Sequence, residues 1–151
     1  MNNNIIRTGV KALIVHQQKI LIIKEKVMRN GVEIIIHDFP GGGIDFGENL
    51  EKALQREVFE EVCLKIKVNR VVGAWDFIIN PISDPDSQMQ IVCIGYQCSI
   101  EDNDKIDLSK NPAEYENIFD YKWLSKEEIL KAGAEILVNQ DMRRAVENLE
   151  I

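Results

Sequence analysis

Val10-Lys11-Ala12-Leu13-Ile14-Val15 and Ile20-Leu21-Ile22-Ile23 are apolar, β-branched runs separated by the polar His16-Gln17-Gln18, a pattern that predicts two strands joined as a hairpin. Val32 to His37 is a third such run, and it stops at Phe39-Pro40-Gly41-Gly42-Gly43, which reads as a glycine loop. From Asn49 to about Cys63 the period changes. Leu50, Leu54, Val58 and Val62 recur every four residues and predict a helix, with Asn49 as N-cap and Glu51 in its first turn. Strands resume at Ile66 to Val72, around Trp75 to Ile79, at Gln90 to Ile100 and at Phe119 to Leu124. Ser125-Lys126-Glu127-Glu128 is a capping-box signature for a short helix that Gly133 ends, and Met142, Ala145, Val146 and Leu149 mark a last amphipathic helix. The sum is a strand-rich α/β chain, read as one domain over residues 1–151.

Composition narrows the class. Hydrophobic residues are 45% and charged residues 28%, the balance of a globular protein. With 18 Lys+Arg against 25 Asp+Glu the net charge is −7, which argues against long nucleic acid as a partner. An acidic chain still binds a phosphorylated metabolite when a divalent cation lies between the two. No run approaches the roughly 20 apolar residues that span a bilayer, and the start, Met1-Asn2-Asn3-Asn4, lacks the basic flank of a secretory signal. Cys63, Cys93 and Cys98 are odd in number and lack metal-ligand spacing, so reduced thiols in a cytoplasmic protein are the expectation.

The chemistry concentrates between Pro40 and Leu64. A glycine triplet, whose backbone can approach a phosphate, leads into the helix carrying Arg56, Glu57, Glu60 and Glu61. At helical spacing the three glutamates fall within an arc of about 100°, with Ala53 one turn earlier expected to leave open space above them. Carboxylates so placed repel one another unless a cation neutralises them, and their hard oxygens suit Mg²⁺ or Mn²⁺. Arg56-Glu57 with Glu60-Glu61 alone would fit a solvated helix face with weak ion pairs.

The longer spacing decides between these readings. Gly42, five intervening residues, Glu48, seven more, Arg56-Glu57, apolar Val58, then Glu60-Glu61 and apolar Leu64 resembles the Nudix box. A chance match to its six fixed identities is on the order of one window in ten million. Cys63 stands where that pattern has glycine, so the helix exit is expected to differ slightly while the carboxylates remain intact.

The resemblance implies an α/β/α sandwich around a mixed β-sheet. It also implies hydrolysis of the phosphoanhydride of a nucleoside diphosphate linked to another group, such as a nucleoside triphosphate or nucleotide sugar. In such an enzyme Glu57, Glu60 and Glu61 would hold Mg²⁺ or Mn²⁺, one of them serving also as base, with the carbonyl of Gly41 or Gly42 completing the coordination. Arg56 would orient these carboxylates and Glu48 would support the loop–helix junction. Nudix enzymes often draw a further acid from a late loop, where Glu114 and Glu116 are the candidates. The partner would be a small nucleotide rather than long nucleic acid or a membrane, and a homodimer is compatible with such a domain.

Substrate identity is less legible. Trp75, Phe77 and Tyr96 are candidates for stacking on a base, though core packing suits each better. Pro81 and Pro85 mark a loop that would border a nucleoside pocket, and a proline downstream of the box resembles ADP-ribose-type members at an imperfect offset. His16 and His37 have no acid–base partner in sequence. Two competing functions are a catalytically silent Nudix-like module that senses a nucleotide or binds a partner, and an isopentenyl-diphosphate isomerase. Intact Glu57, Glu60 and Glu61 argue against the first, and the missing Cys and Glu pairing against the second.

Overall fold

The computed structural model describes residues 3–29, 31–80, 86–101, 105–110 and 118–151. Strands β1 (Ile5–His16) and β2 (Lys19–Arg29) form the expected hairpin around Gln17 and Gln18, both at positive φ (50° and 63°), as a tight two-residue turn requires. β3 (Val32–Asp38) follows antiparallel to β2. The glycine triplet is not a loop but a short strand, β4 (Gly41–Gly43), pairing antiparallel with β1 through Gly9↔Gly43 and Lys11↔Gly41. Backbone pairing with β1 holds the glycines in strand register, a constraint that composition does not reveal.

Helix α1 (Leu50–Val62) leads to β5 (Ile66–Ile79), β6 (Met89–Ile100) and β7 (Ile118–Ser125), then α2 (Lys126–Ala132) and α3 (Gln140–Glu147). The runs read as two strands at Ile66 to Val72 and Trp75 to Ile79 are one strand, with register shifts at Val68/Arg70 and Val71/Gly73 against β6. Leu149 lies just past α3, yet it is buried with it. The sheet runs β3-β2-β1-β6-β5, with β4 on β1 and β7 on β2; β1 and β6 are parallel and the other pairs antiparallel, so the sheet is mixed.

Alternation along β1 separates two cores. Val10, Ala12 and Ile14 pack with Leu54, Val58 and Val62 of α1. Leu13 packs in a second core with Ile22, Phe39 and Trp75, closed by Ile129 of α2 and Met142 and Val146 of α3. This is the expected sandwich: α1 lies on one side, α2 and α3 on the other. Among the described residues no helix is long and apolar enough to cross a membrane.

Candidate active site

Asn49 caps α1 with its side chain accepting the Lys52 N–H at 2.8 Å, and the preceding turn is closed by the Asp45 N–H donating to Glu48 Oε1 at 2.9 Å. Arg56, on the second turn, draws this junction together. Its Nε and Nη2 donate to the two Glu48 oxygens at 2.8 Å each, a bidentate pair, and Nη2 also reaches the Gly43 carbonyl at 3.1 Å. Its Nη1 donates to Glu57 Oε1 at 2.9 Å and to Glu60 Oε2 at 3.3 Å. The Arg56 hydrogen bonds, helped by the Asp45 N–H, pull the Glu48 pKa down to about 2. The Arg56 pKa is raised in return, by its bond to Glu48 and, against some desolvation, by Glu57.

Glu57 and Glu61 lie against β4. The Glu61 carboxylate is buried and accepts the Gly41 N–H at 2.6 Å. A β-carbon on Gly42 would stand 2.5 Å from Glu57 Oε2, so the missing side chain is the space this carboxylate fills. Gly41 is constrained differently: its φ is +146°, and a β-carbon there would meet the Val10 carbonyl oxygen at 2.0 Å. The structure therefore brings Glu48, Arg56, Glu57 and Glu60 into one ionic network and sets Glu57 and Glu61 on the glycine strand. Arg56 offsets the repulsion that the spacing of the acids implies. Ala53 leaves no open space; it is fully buried in the α1 core.

For a hard cation the donor set is chemically apt: three carboxylates beside a glycine backbone, all oxygen ligands, with room at Gly42 for Glu57. Among the described residues, however, no three His, Cys, Asp or Glu side chains already form a group able to hold a metal ion. Arg56 and the Gly41 N–H engage the glutamates, so a cation would compete with both.

A cleft of about 270 Å³ opens beside the glycine strand, lined by Gly41, Gly42 and Glu61 together with Lys11, Glu25 and Asp38. Lys11 Nζ is 2.8 Å from Asp38 Oδ2 and donates more weakly to the Phe39 carbonyl at 3.4 Å. Burial works against its charge, but Asp38, then Glu61 and Glu25, reverse that effect and leave its pKa raised. Motif spacing missed these residues. The one signal was a lysine interrupting the apolar run Val10 to Val15.

Of the aromatic candidates, Phe77 lines the cleft, whereas Trp75 packs on Phe39 with ring centroids 5.9 Å apart and Tyr96 is buried in the α1 core. His16 lies against Trp123, and the His37 pKa is lowered by burial and by Lys24 and Lys122. Cys63 takes the left-handed conformation itself, at φ 61° and ψ 25°, with its N–H on the Phe59 carbonyl. The helix exit is thus the cap a glycine would form, not an altered one. Glu114, Glu116, Pro81 and Pro85 lie outside the described residues.

Comparison with known proteins agrees with this fold. The chain is 33% identical over 116 residues to the NAD-capped RNA hydrolase NudC of Haemophilus influenzae (strain PittGG), a match covering 68% of this chain and 38% of that relative, so the chain spans well under half of its length. The fold is similar to the MutT protein of Methanosarcina mazei Go1, with TM-score 0.69 and 20% identity over 97% of this chain and 94% of that one. It is likewise similar to the MutT NUDIX hydrolase of Burkholderia pseudomallei, with TM-score 0.68 and 21% identity over 96% and 98%. The NUDIX domain profile matches residues 6–149, a span that takes in the glycine strand, the glutamate helix and both cores, and the chain therefore belongs to the Nudix family.

Proposed function

We propose that the chain hydrolyses the phosphoanhydride bond of a nucleoside diphosphate linked to another group, with Mg²⁺ or Mn²⁺. The observation that carries this reading is the seating of Glu57 in the space left by Gly42, with Glu61 on the neighbouring Gly41 N–H. Glu57, Glu60 and Glu61, with the Gly41 or Gly42 carbonyl, would hold the cation, which when bound neutralises the diphosphate and stabilises charge building on the phosphoryl oxygens. One of the three glutamates takes the proton of the attacking water. The water oxygen bonds to phosphorus as the P–O–P bridge breaks and the second phosphate leaves. Arg56 holds Glu57, which lies against β4, together with Glu60, and its paired bonds to Glu48 fix the turn from which α1 starts. Phe77 offers an apolar wall along the same cleft for a base.

The similarity to an NAD-capped RNA hydrolase supports a nucleotide substrate without selecting one, because this chain spans only 38% of that relative. The free thiols Cys63, Cys93 and Cys98 suit a reducing compartment, and we place the enzyme in the cytoplasm, as a monomer or homodimer.

The test is a turnover panel of nucleoside triphosphates, nucleotide sugars, dinucleotides and coenzyme A with Mg²⁺ or Mn²⁺, products resolved by mass. Cleavage at a phosphoanhydride, abolished by chelator and restored by either metal, is expected. Metal binding with no product from any class would instead favour the silent module, and full turnover in excess chelator would overturn the metal mechanism.

A further inference from the structure

We propose that Lys11, oriented by Asp38, binds a non-bridging phosphate oxygen of the substrate directly, as a second cationic contact beside the metal. This rests on the hydrolase reading for its substrate, but on separate residues for its geometry. On β1, Arg7, Thr8, Gly9 and Lys11 line the cleft, and Leu13, two residues beyond Lys11 on the same strand face, is fully buried in the core. Lys11 is thus the innermost charge on the strand, and it pairs in the β1–β4 ladder with Gly41, the residue whose N–H holds Glu61.

Two further facts point to a ligand. An ammonium has three N–H donors; Asp38 takes one and the Phe39 carbonyl takes another at long range, which leaves donor capacity facing a cleft. The pair is also a poor choice for stability alone. Both side chains are largely buried, 12% and 18% exposed, and an apolar pair of similar volume is often as stable as such an ion pair. Asp38 lets a lysine remain charged at the inner end of a cleft that the acids Glu25 and Glu61 also line. Arg7 lines the same cleft from further along β1.

The proposal separates two affinities. A fixed cation near Glu61 opposes the metal slightly while attracting the diphosphate. Lys11→Met alone would strand Asp38, so the deciding variant is the neutral pair Lys11→Met/Asp38→Asn, with Lys11→Arg as the conservative control. Two ligands are titrated calorimetrically into the intact chain: Mn²⁺ alone, and methylenediphosphonate onto Mn²⁺-saturated protein. In the neutral pair, diphosphonate affinity should fall at least about tenfold while Mn²⁺ affinity stays the same or tightens a few fold; Lys11→Arg should stay within about threefold for both.

Unchanged diphosphonate binding in the neutral pair would overturn the proposal. So would a joint loss of Mn²⁺ and diphosphonate binding, the signature of a merely structural pair, and so would a parent chain that does not bind the diphosphonate. The two readings fail separately. An empty turnover panel with Lys11-dependent diphosphonate binding removes the hydrolase and keeps the site; turnover in which the neutral pair leaves KM and kcat unchanged does the reverse.

Discussion

Gly42 and Glu57 occupy one space: a β-carbon on the strand residue would stand 2.5 Å from the carboxylate oxygen of the helix residue. Gly41, its neighbour, meets backbone instead, with the Val10 carbonyl oxygen 2.0 Å from any β-carbon and φ at +146°. The two glycines should therefore fail differently. In Gly42→Ala the Glu57 carboxylate swings aside, because it is the end of a flexible side chain; the fold should survive, and turnover should drop about a hundredfold from a misplaced ligand. Gly41→Ala cannot move the strand it strikes and should lose at least about 2 kcal/mol, or roughly 4–8 °C in Tm. Measured side by side, equal losses of Tm would refute the distinction.

Glu60→Gln and Glu61→Gln remove a charge without changing shape. Each should cut single-turnover rates by at least about a hundredfold, since a hard cation needs the ionised oxygen. Relief of repulsion would raise Tm, but Arg56 already holds Glu60, and the Gly41 N–H already holds Glu61. Neither variant should be stabilised, and Glu61→Gln should melt lower, because its short bond to Gly41 is buried. Glu51→Gln, exposed in the first turn of α1, should keep nearly full activity. Parent-like hydrolysis by both test variants would reduce the glutamate face to a solvated surface.

Where sequence spacing succeeded, it did so because the geometry is local. Glu57, Glu60 and Glu61 share a face through the helical period alone, and Asn49 caps α1 with its own side chain. Partners distant along the chain were invisible. Lys11 and Asp38 are 27 residues apart and meet only because β1 and β3 flank one cleft, an outcome of strand order that no periodicity encodes. Gly41 to Gly43 read as a loop because glycine has poor strand propensity, yet pairing with β1 makes them a strand. Ala53 was misjudged by its neighbours on the helical wheel: α1 turns that flank into the core.

The Glu48 clamp gives a pH dependence with a definite sign. Its pKa falls from 4.5 to about 2, chiefly through the Arg56 hydrogen bonds, so its contribution to stability is present above 4.5 and is lost as pH falls toward 2. Glu48→Gln should therefore melt below the parent at neutral pH, with the gap closing between those two values. Because Glu48 also orients the arginine that holds Glu57 and Glu60, Mn²⁺ affinity should fall about tenfold in the same variant. A Tm gap that persists unchanged at pH 2 would show that the loss is one of packing rather than charge.

Cys63 tests whether the departure from the family pattern matters to chemistry. It sits at φ 61° in the left-handed region, where a β-carbon costs about 1–2 kcal/mol and glycine costs little. Cys63→Gly removes that strain but loosens the unfolded chain by about 0.5–1 kcal/mol, so the two effects largely offset one another. Tm should rise by no more than about 3 °C and turnover should stay within a few fold. The same variant has a chemical signature. Burial raises the Cys93 pKa to about 11 and the Cys98 pKa to about 12, and both thiols are 1% exposed, whereas Cys63 is partly open to solvent. Iodoacetamide near pH 8 should therefore label one thiol in the folded parent and none in Cys63→Gly. Loss of turnover in a variant that melts like the parent would give Cys63 a direct part in the reaction, and modification of Cys93, a buried residue lining the cleft, in folded protein would show that the cleft opens there.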